Sequence, residues 1–529
     1  MNESPAPSAV VVNSPLSEPI DSGRRSHGQV LKSSVMIGGS MGLGVVIGMA
    51  RTKAMALLLG PAGVGLFGLY LSISELVRSV AGMGINTSGV RQIAESVGTG
   101  DSQRIARTVI TLRRVALVLG GLGALFLAVF ARFVARVSFG DEQHAGAIAF
   151  LALAVLFGEI SSAQGALIQG MRRVADLARM NILSAIFGTA FSVGIVFFYF
   201  KRGMAAQGVV PSLVCMAAMS IVTSWWFARK IKVERVSMTT VQVGAEVSGL
   251  LKLGVAFMSS GLMFMGTAYL VRAILLQRIG ADAAGYYQAA WGLGGMYVGF
   301  ILQAMGADFL PRLSEVAHDN RECNRLVNEQ AEVGLLIAVP GLLATLSIAP
   351  FVITLFYSNR FGPAVDVLRW ICLGMLLRVA SWPLGSIVLA KGLRNLFFWS
   401  ELLTYAAYVA LVLVLVPWLG LIGSGIAFFG MYVLYWIGIY LVARRTSGFR
   451  WSGTNRKLAL LFTPLVALVF VSWYVLPPAA SASLGILVTL AGGFYCLRTL
   501  CVLIPLERLP RPVRKLLDLL HITPLPPHD

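Results

Sequence analysis

Apolar runs of about twenty residues recur along nearly the whole chain, each long enough to cross a bilayer as a helix. They fall near 30–50, 64–86, 111–131, 146–168, 181–200, 206–228, 250–271, 285–307, 332–356, 366–389, 396–416, 422–443, 458–476 and 483–505. The pattern predicts an all-α polytopic membrane protein of about fourteen spans. Polar residues gather in short connections, and no connection is large enough for an extramembrane domain.

The runs repeat. "LLLGPAGVGLFGLY" (57–70) aligns with "LQRIGADAAGYYQA" (276–289), which sets Gly60 over Gly280 and Gly65 over Gly285. At the same offset, about 220 residues, "VRQIAES" (90–96) meets "LPRLSEV" (310–316), and "QGMRR" (169–173) meets "KGLRN" (391–395) at a similar one. "GMAAQG" (203–208) meets "GLIGSG" (420–425) more loosely. Six helices per copy is an even number, so the copies share one orientation and relate by an axis along the membrane normal. The expected organisation is a disordered cytoplasmic tail (1–29), an N-lobe (30–228), a basic linker (229–249), a C-lobe (250–443), two further helices (444–505) and a second cytoplasmic tail (506–529). In such bundles the substrate site typically lies between the halves.

Composition agrees with the pattern. The 529 residues are 57% hydrophobic and only 13% charged, and the mean hydropathy is +0.77; a soluble chain carries about twice that charge fraction. The net charge of +19 does not indicate nucleic acid, because the basic residues sit in short runs between apolar segments. With the N-terminus in the cytoplasm, about thirty basic residues lie inside and about nine outside, the bias of the positive-inside rule. Both termini are then cytoplasmic.

The five cysteines are scattered and the five histidines fall in loops or tails, so no metal site or cofactor is expected. "GGSMGLGVVIG" and "GLGGMYVG" lack the strand context and Gly-Lys-Ser/Thr ending of a phosphate loop; such small residues let membrane helices approach closely.

The informative polar positions lie inside the spans. Gly68, Ser72, Glu75, Ser79, Gly82 and Asn86 form one helical stripe, flanked by Arg78. An isolated Arg at the bilayer centre costs at least ~2.5–3.5 kcal/mol, so it should face inward, with a partner or beside water. Two readings stand: a local Glu75–Arg78 pair at i,i+3, or the charged wall of a hydrated cavity. In the repeat copy Gly295 and Val298 replace the two charges, which favours a functional asymmetry. Glu159 shares a stripe with Ser162 and Gln169, and Arg378 shares one with Gly374, Ser381 and Gly385, beside a potential break at Pro383. Arg51, Arg272 and Glu401 sit toward span ends, where snorkelling to the interface is the plain alternative. The candidate substrate residues are Arg51, Glu75, Arg78, Arg272 and Arg378; the candidate coupling-ion residues are Glu75 and Glu159.

The stretch "LLGPAGVGLFGLYLSISELVRSVAGMGINTSGVRQIAES" closely resembles the N-terminal signature of Wzx-type O-antigen flippases. These are polysaccharide transporters of the multidrug/oligosaccharidyl-lipid/polysaccharide exporter superfamily. Its elements are Gly60, Pro61, Gly65, Gly68, Gly84, Asn86 and the run from Gly89 to Glu95, and "IGADAAGYYQAAW" fits the family pattern after the seventh span. Members commonly carry an acid before the arginine that ends that span; here Leu270 and Val271 precede Arg272. The resemblance implies two six-helix lobes around a cavity, alternating access, and movement of an undecaprenyl-pyrophosphate-linked oligosaccharide from the cytoplasmic to the periplasmic leaflet of the bacterial inner membrane. It implies membrane lipids, a polysaccharide polymerase and a chain-length regulator as partners, and no enzymatic activity. The alternatives are a lipid II flippase or drug antiporter of the same superfamily, or a membrane polysaccharide polymerase. The short external loops offer no catalytic constellation for the last.

Overall fold

The computed structural model describes residues 21–231, 236 and 239–503. The 506–529 tail, residues 1–20 of the first tail, and Lys232 and Arg235 of the basic linker lie outside the described residues. Sixteen α-helices, two short 3-10 helices (Ala205–Gly208 and Asn359–Phe361) and no strands make up the described regular structure; the α-helices are α1 (Asp21–Gly82), α2 (Ile85–Thr99), α3 (Ser102–Val129), α4 (Ala131–Phe139), α5 (Ala145–Gly170), α6 (Val174–Lys201), α7 (Val209–Ala228), α8 (Thr240–Arg278), α9 (Ala281–Glu315), α10 (Asn320–Ser347), α11 (Ala349–Phe356), α12 (Ala364–Ala390), α13 (Arg394–Leu419), α14 (Ile422–Ser447), α15 (Gly453–Val475) and α16 (Pro478–Leu503).

Every predicted span has a helix over it. Among the described residues, eleven helices are long and apolar enough to cross a membrane, or twelve with the bent α9, fewer than the fourteen expected. One reason is that Gly42–Gly82 counts once there although it holds 41 residues. At 1.5 Å per residue it reaches about 60 Å, roughly twice the hydrocarbon thickness. Its two limbs meet at Gly60, whose φ of 65° and ψ of −174° leave the helical region. That region suits glycine, and Pro61 then opens the second limb with its φ preset and no N–H to satisfy. α8 covers the seventh predicted span but is not among the eleven.

Three boundaries differ from the sequence expectation. Residues 21–29 belong to α1 rather than to a tail; no proline follows Pro19 there to stop the helix. The second span ends at Gly82, because Met83 and Gly84 are left-handed (φ 45° and 68°), and Asn86 belongs to the first turn of α2. The 332–356 span divides into α10 and α11 at Ile348, where Pro350 at the start of α11 removes a backbone donor. By contrast α12 runs unbroken through Pro383.

The repeat is visible in backbone detail. After α5, the N–H groups of Met171, Arg172, Arg173 and Val174 bond the carbonyls of Leu167, Gln169, Ile168 and Arg172. After α12, Lys391, Gly392, Leu393 and Arg394 bond Ile387, Leu389, Val388 and Gly392, each position 220 residues on. The left-handed residue of this turn is Arg172 (φ 56°) in one copy and Gly392 (φ 71°) in the other. The second limb of α1 leads through the left-handed pair into α2, and α9 bends by 45° into its last eight residues.

The two halves touch where equivalent residues meet. A Cβ on Gly65 would strike the backbone of Ala281 and Gly285, and one on Gly285 would strike Pro61. Three residues further along, Gly68 lies against the side chain of Gln288, its own repeat partner. A second close approach joins Gly84 to Gly254, and Ser88 Oγ donates to the Leu250 carbonyl at 2.8 Å. The last two helices attach to the second half. Gly485 of α16 packs on Ser347, and the Arg369 guanidinium, paired with Asp366 at 2.8 Å, lies 4.2 Å over the Trp473 ring of α15.

Candidate functional site

The first half holds a cavity of about 320 Å³ among α1, α5, α6 and α7. Because α1 folds back at Gly60, its first limb brings Arg51 beside Glu75 and Arg78 of the second limb, and all three line this space. Asn181, Ser184 and Ser220 add neutral polar groups, and among the described residues the wall has no aromatic side chain. Two guanidinium groups against one carboxylate give the wall an excess positive charge.

Glu75 and Arg78 are not an ion pair: among the described residues no nitrogen of Arg78 lies within 4.0 Å of the carboxylate. Arg78 instead packs on Gly158, where a Cβ would lie 2.7 Å from its Nη1. Glycine at 158 therefore makes room for the guanidinium. Glu75 opens on the cavity, and both Arg78 and Arg272 act on it electrostatically. The local-pair reading thus gives way to that of two charges lining a common space.

Glu159 lies one residue from Gly158 but faces away from the cavity. It is 2% exposed, accepts a 2.9 Å hydrogen bond from Asn86 Nδ2, and sits against Gly82 and Gly120. It links α5 to α1, α2 and α3. Arg78 is near enough to act on it as well as on Glu75.

Arg51 and Arg272 do not snorkel. Arg51 donates to the Met216 sulfur at 3.6 Å. It also borders a second space of about 220 Å³ with Gly292 and Tyr357, which places it at the seam between halves. Arg272 is 7% exposed because α8 continues six residues past it. Its Nε–H donates to Gln288 Oε1 at 2.6 Å and its Nη1 to the Ala268 carbonyl at 2.8 Å. Tyr287, Tyr357 and Tyr408 surround it, and the first and last of these share a 2.9 Å hydroxyl–hydroxyl bond.

Arg378 stands apart from this group. It lines a cavity of about 240 Å³ in the second half, among α12, α13 and α14, together with Glu401. Glu401 therefore does not snorkel either. The two cavities are repeat images: Gly158, Asn181, Ser184 and Ala185 line the first, and Arg378, Glu401, Thr404 and Tyr405, each 220 residues on, line the second. The charges lost from α9 at Gly295 and Val298 reappear on α12 and α13. Each cavity has an Arg and a Glu in its wall, but different helices supply them. Sequence reasoning missed this grouping and the role of Gln288, although Gln288 heads the repeat copy of the Glu75 stripe.

A family described as polysaccharide biosynthesis protein matches residues 54–366. A relative named lipid III flippase, from Escherichia coli strain K12, is 23% identical over 410 residues, covering 77% of this chain and 95% of its own. A probable low-salt glycan biosynthesis flippase, Agl15 of Haloferax volcanii, is 20% identical over 371 residues, covering 70% and 74%. Among solved structures, the lipid II flippase MurJ in an inward closed conformation superposes with a TM-score of 0.65. It is 13% identical, and the match covers 88% of this chain and 99% of that one. An inward-facing MATE multidrug transporter gives 0.63 at 17% identity, covering 77% and 95%. At these identities the two structures show the shared fold.

Proposed function

This chain belongs to the polysaccharide biosynthesis protein family, and from that premise we propose that it is a flippase for a lipid-linked oligosaccharide. The substrate is an undecaprenyl-pyrophosphate-linked repeat unit of an O-antigen or exopolysaccharide, moved from the cytoplasmic to the periplasmic leaflet of the inner membrane. The observation that carries the proposal is the convergence of Arg51 and Arg78 on one cavity among α1, α5, α6 and α7. Guanidinium groups suit phosphate oxygens in charge and in fork geometry. A pyrophosphate entering there would draw Arg78 from the field of Glu75 and Glu159. The names of the lipid III flippase and the glycan flippase relatives point to the same substrate class.

Alternating access then follows as rocking of the two repeats about the Gly65–Gly285 contact. Outward movement of an anionic lipid works against the membrane potential, ~2.3 kcal/mol per elementary charge per 100 mV, so inward cation flow is the natural drive. Glu75, open to the cavity, and Glu159, buried behind it, are the acids placed to carry a coupling proton or cation. Both termini lie in the cytoplasm in this scheme, and a polysaccharide polymerase and chain-length regulator act downstream.

The test is to delete the gene and locate the lipid-linked repeat units. Accumulation on the cytoplasmic leaflet is expected. Unpolymerised units on the periplasmic leaflet would instead indicate a polymerase and overturn the proposal.

A further inference from the structure

The repeat-related cavity of the second half has an uncommitted set of polar groups. Arg378 has no ion pair among the described residues; the one hydrogen-bond contact of its guanidinium there is the Met375 sulfur at 4.0 Å. Glu401 has Tyr405 as its hydrogen-bonding neighbour and feels Arg378 only electrostatically. No hydrogen-bond partner stands at the hydroxyls of Tyr432 and Tyr435 among the described residues, and Gly385 leaves room for the second, since a Cβ there would lie 2.9 Å from it. Polar groups within a membrane are costly, and each needs a partner or a function.

The two cavities differ in chemistry although the repeat relates them. Among the described residues the first has two arginines, one acid and no aromatic residue. The second has one arginine, one acid and five aromatic side chains, among them Trp382, Tyr405, Tyr432 and Tyr435. Its charges balance, so it offers nothing to a phosphate that the first cavity does not offer better. At about 240 Å³ it is smaller than the roughly 300–1,000 Å³ of a drug-sized site.

We infer that this second cavity is a binding subsite for one sugar ring of the oligosaccharide, with Glu401 and Arg378 engaging adjacent hydroxyls. The inference rests on the flippase reading and assigns the headgroup's two chemistries to two repeat-related sites. A carboxylate only accepts and a guanidinium only donates, so together they fix the direction of both hydroxyls. The tyrosine hydroxyls donate or accept as the ring requires, and their faces, with that of Trp382, cover its C–H surface. The pyrophosphate stays with Arg51 and Arg78 in the first cavity.

The experiment measures binding by the purified full-length chain, using two probes: undecaprenyl pyrophosphate bearing the source cell's own repeat unit, and bare undecaprenyl pyrophosphate. The wild type should prefer the sugar-bearing lipid. The double variant Tyr432→Phe/Tyr435→Phe, which keeps both rings, and the variant Glu401→Ala should each cut that preference by about tenfold, the worth of one or two hydrogen bonds. Arg78→Ala should weaken both probes and leave their ratio intact. An unchanged ratio in the Phe and Ala variants, or an equal loss for both probes, would overturn the sugar subsite and leave the flippase reading standing. If the wild type binds neither probe, the flippase reading fails and the subsite fails with it.

Discussion

Arg272 of α8 donates its Nε–H to Gln288 Oε1 of α9 at 2.6 Å, and Gln288 is the side chain against which Gly68 of the first half packs. A buried cation is thus held by a neutral acceptor at the contact between halves, near enough to act on Glu75. Gln288→Leu removes the acceptor and leaves the charge buried. Hydrogen bonds to charged groups contribute about 1.5–3 kcal/mol, so this variant should lose that much stability against thermal unfolding in detergent. An unchanged melting temperature would mean that Arg272 finds another acceptor.

The separation of Glu75 from Arg78 makes a second prediction. If both charges serve the cavity, Arg78→Ala should abolish transport. Arg78→Lys should retain a minor part of it, since an ammonium binds phosphate without the fork geometry. Glu75→Gln should slow transport and alter its dependence on the ion gradient. The measurement is repeat-unit translocation at equal protein level. Normal transport by all three variants would return the two residues to a packing role.

Much of this was legible in the sequence, for definite reasons. Helix positions followed from apolar length, and the repeat from an offset of about 220 residues; the turn bonds coincide at 220, two residues short of the 222 at which "QGMRR" meets "KGLRN". Glu75 and Arg78 have no place in lipid, and both line the cavity; the rest of the stripe does not, since Gly68 packs on Gln288 and Gly82 and Asn86 meet Glu159. What stayed hidden was pairing across helices. Arg378 and Glu401 lie on separate helices, and no periodicity joins them until the turn after α12 folds one back on the other. The burial of Arg272 depends on α8 extending six residues beyond it, which apolar content alone did not mark. Nor could spacing tell that Arg78 would turn toward Gly158.

The contact of Gly65 with Gly285 predicts a steric effect separable from chemistry. The obstructing atoms on both sides are backbone, so no side chain can move aside for a methyl group. Gly65→Ala and Gly285→Ala should each destabilise by about 1–3 kcal/mol, the usual cost of overpacking, and should impair transport while insertion continues. Gly121→Ala is the control, because a Cβ there meets nothing within 4 Å; its gain in helix propensity should leave stability equal or slightly higher. Equal melting temperatures for all three would show that the halves can part at no cost.

The duplicated turn supplies a test within one molecule. Arg172 is left-handed at φ 56°, where its repeat partner is Gly392 at φ 71°. A side chain in that region costs roughly 1–2 kcal/mol, offset in part by the lower chain entropy of a non-glycine residue. Arg172→Gly should therefore stabilise by about 0.5–1 kcal/mol, and Gly392→Ala should destabilise by about 1 kcal/mol. Thermal unfolding of the two variants should shift in opposite directions. A shift in the same direction would mean that the Arg172 side chain contributes more than its backbone strain.

The loop between α4 and α5 predicts a dependence on pH. His144 Nδ1 lies 2.7 Å from the Tyr70 hydroxyl, and its ring stacks on Phe139 with centroids 4.1 Å apart. Burial lowers its pKa from the ordinary value, and Asp141 only partly opposes that. The folded state thus favours the neutral imidazole, which accepts the tyrosine proton; the imidazolium cannot. An unfolded chain takes up the proton at about pH 6.5, so it binds more protons than the folded one below that value. Stability from this contact is present above pH 6.5 and declines as pH falls through the depressed folded pKa. Melting temperatures recorded from pH 7.5 down to pH 5 should show this decline in the wild type and a shallower one in His144→Gln, which has no titrating group. Parallel curves would remove His144 from the acid sensitivity of the fold.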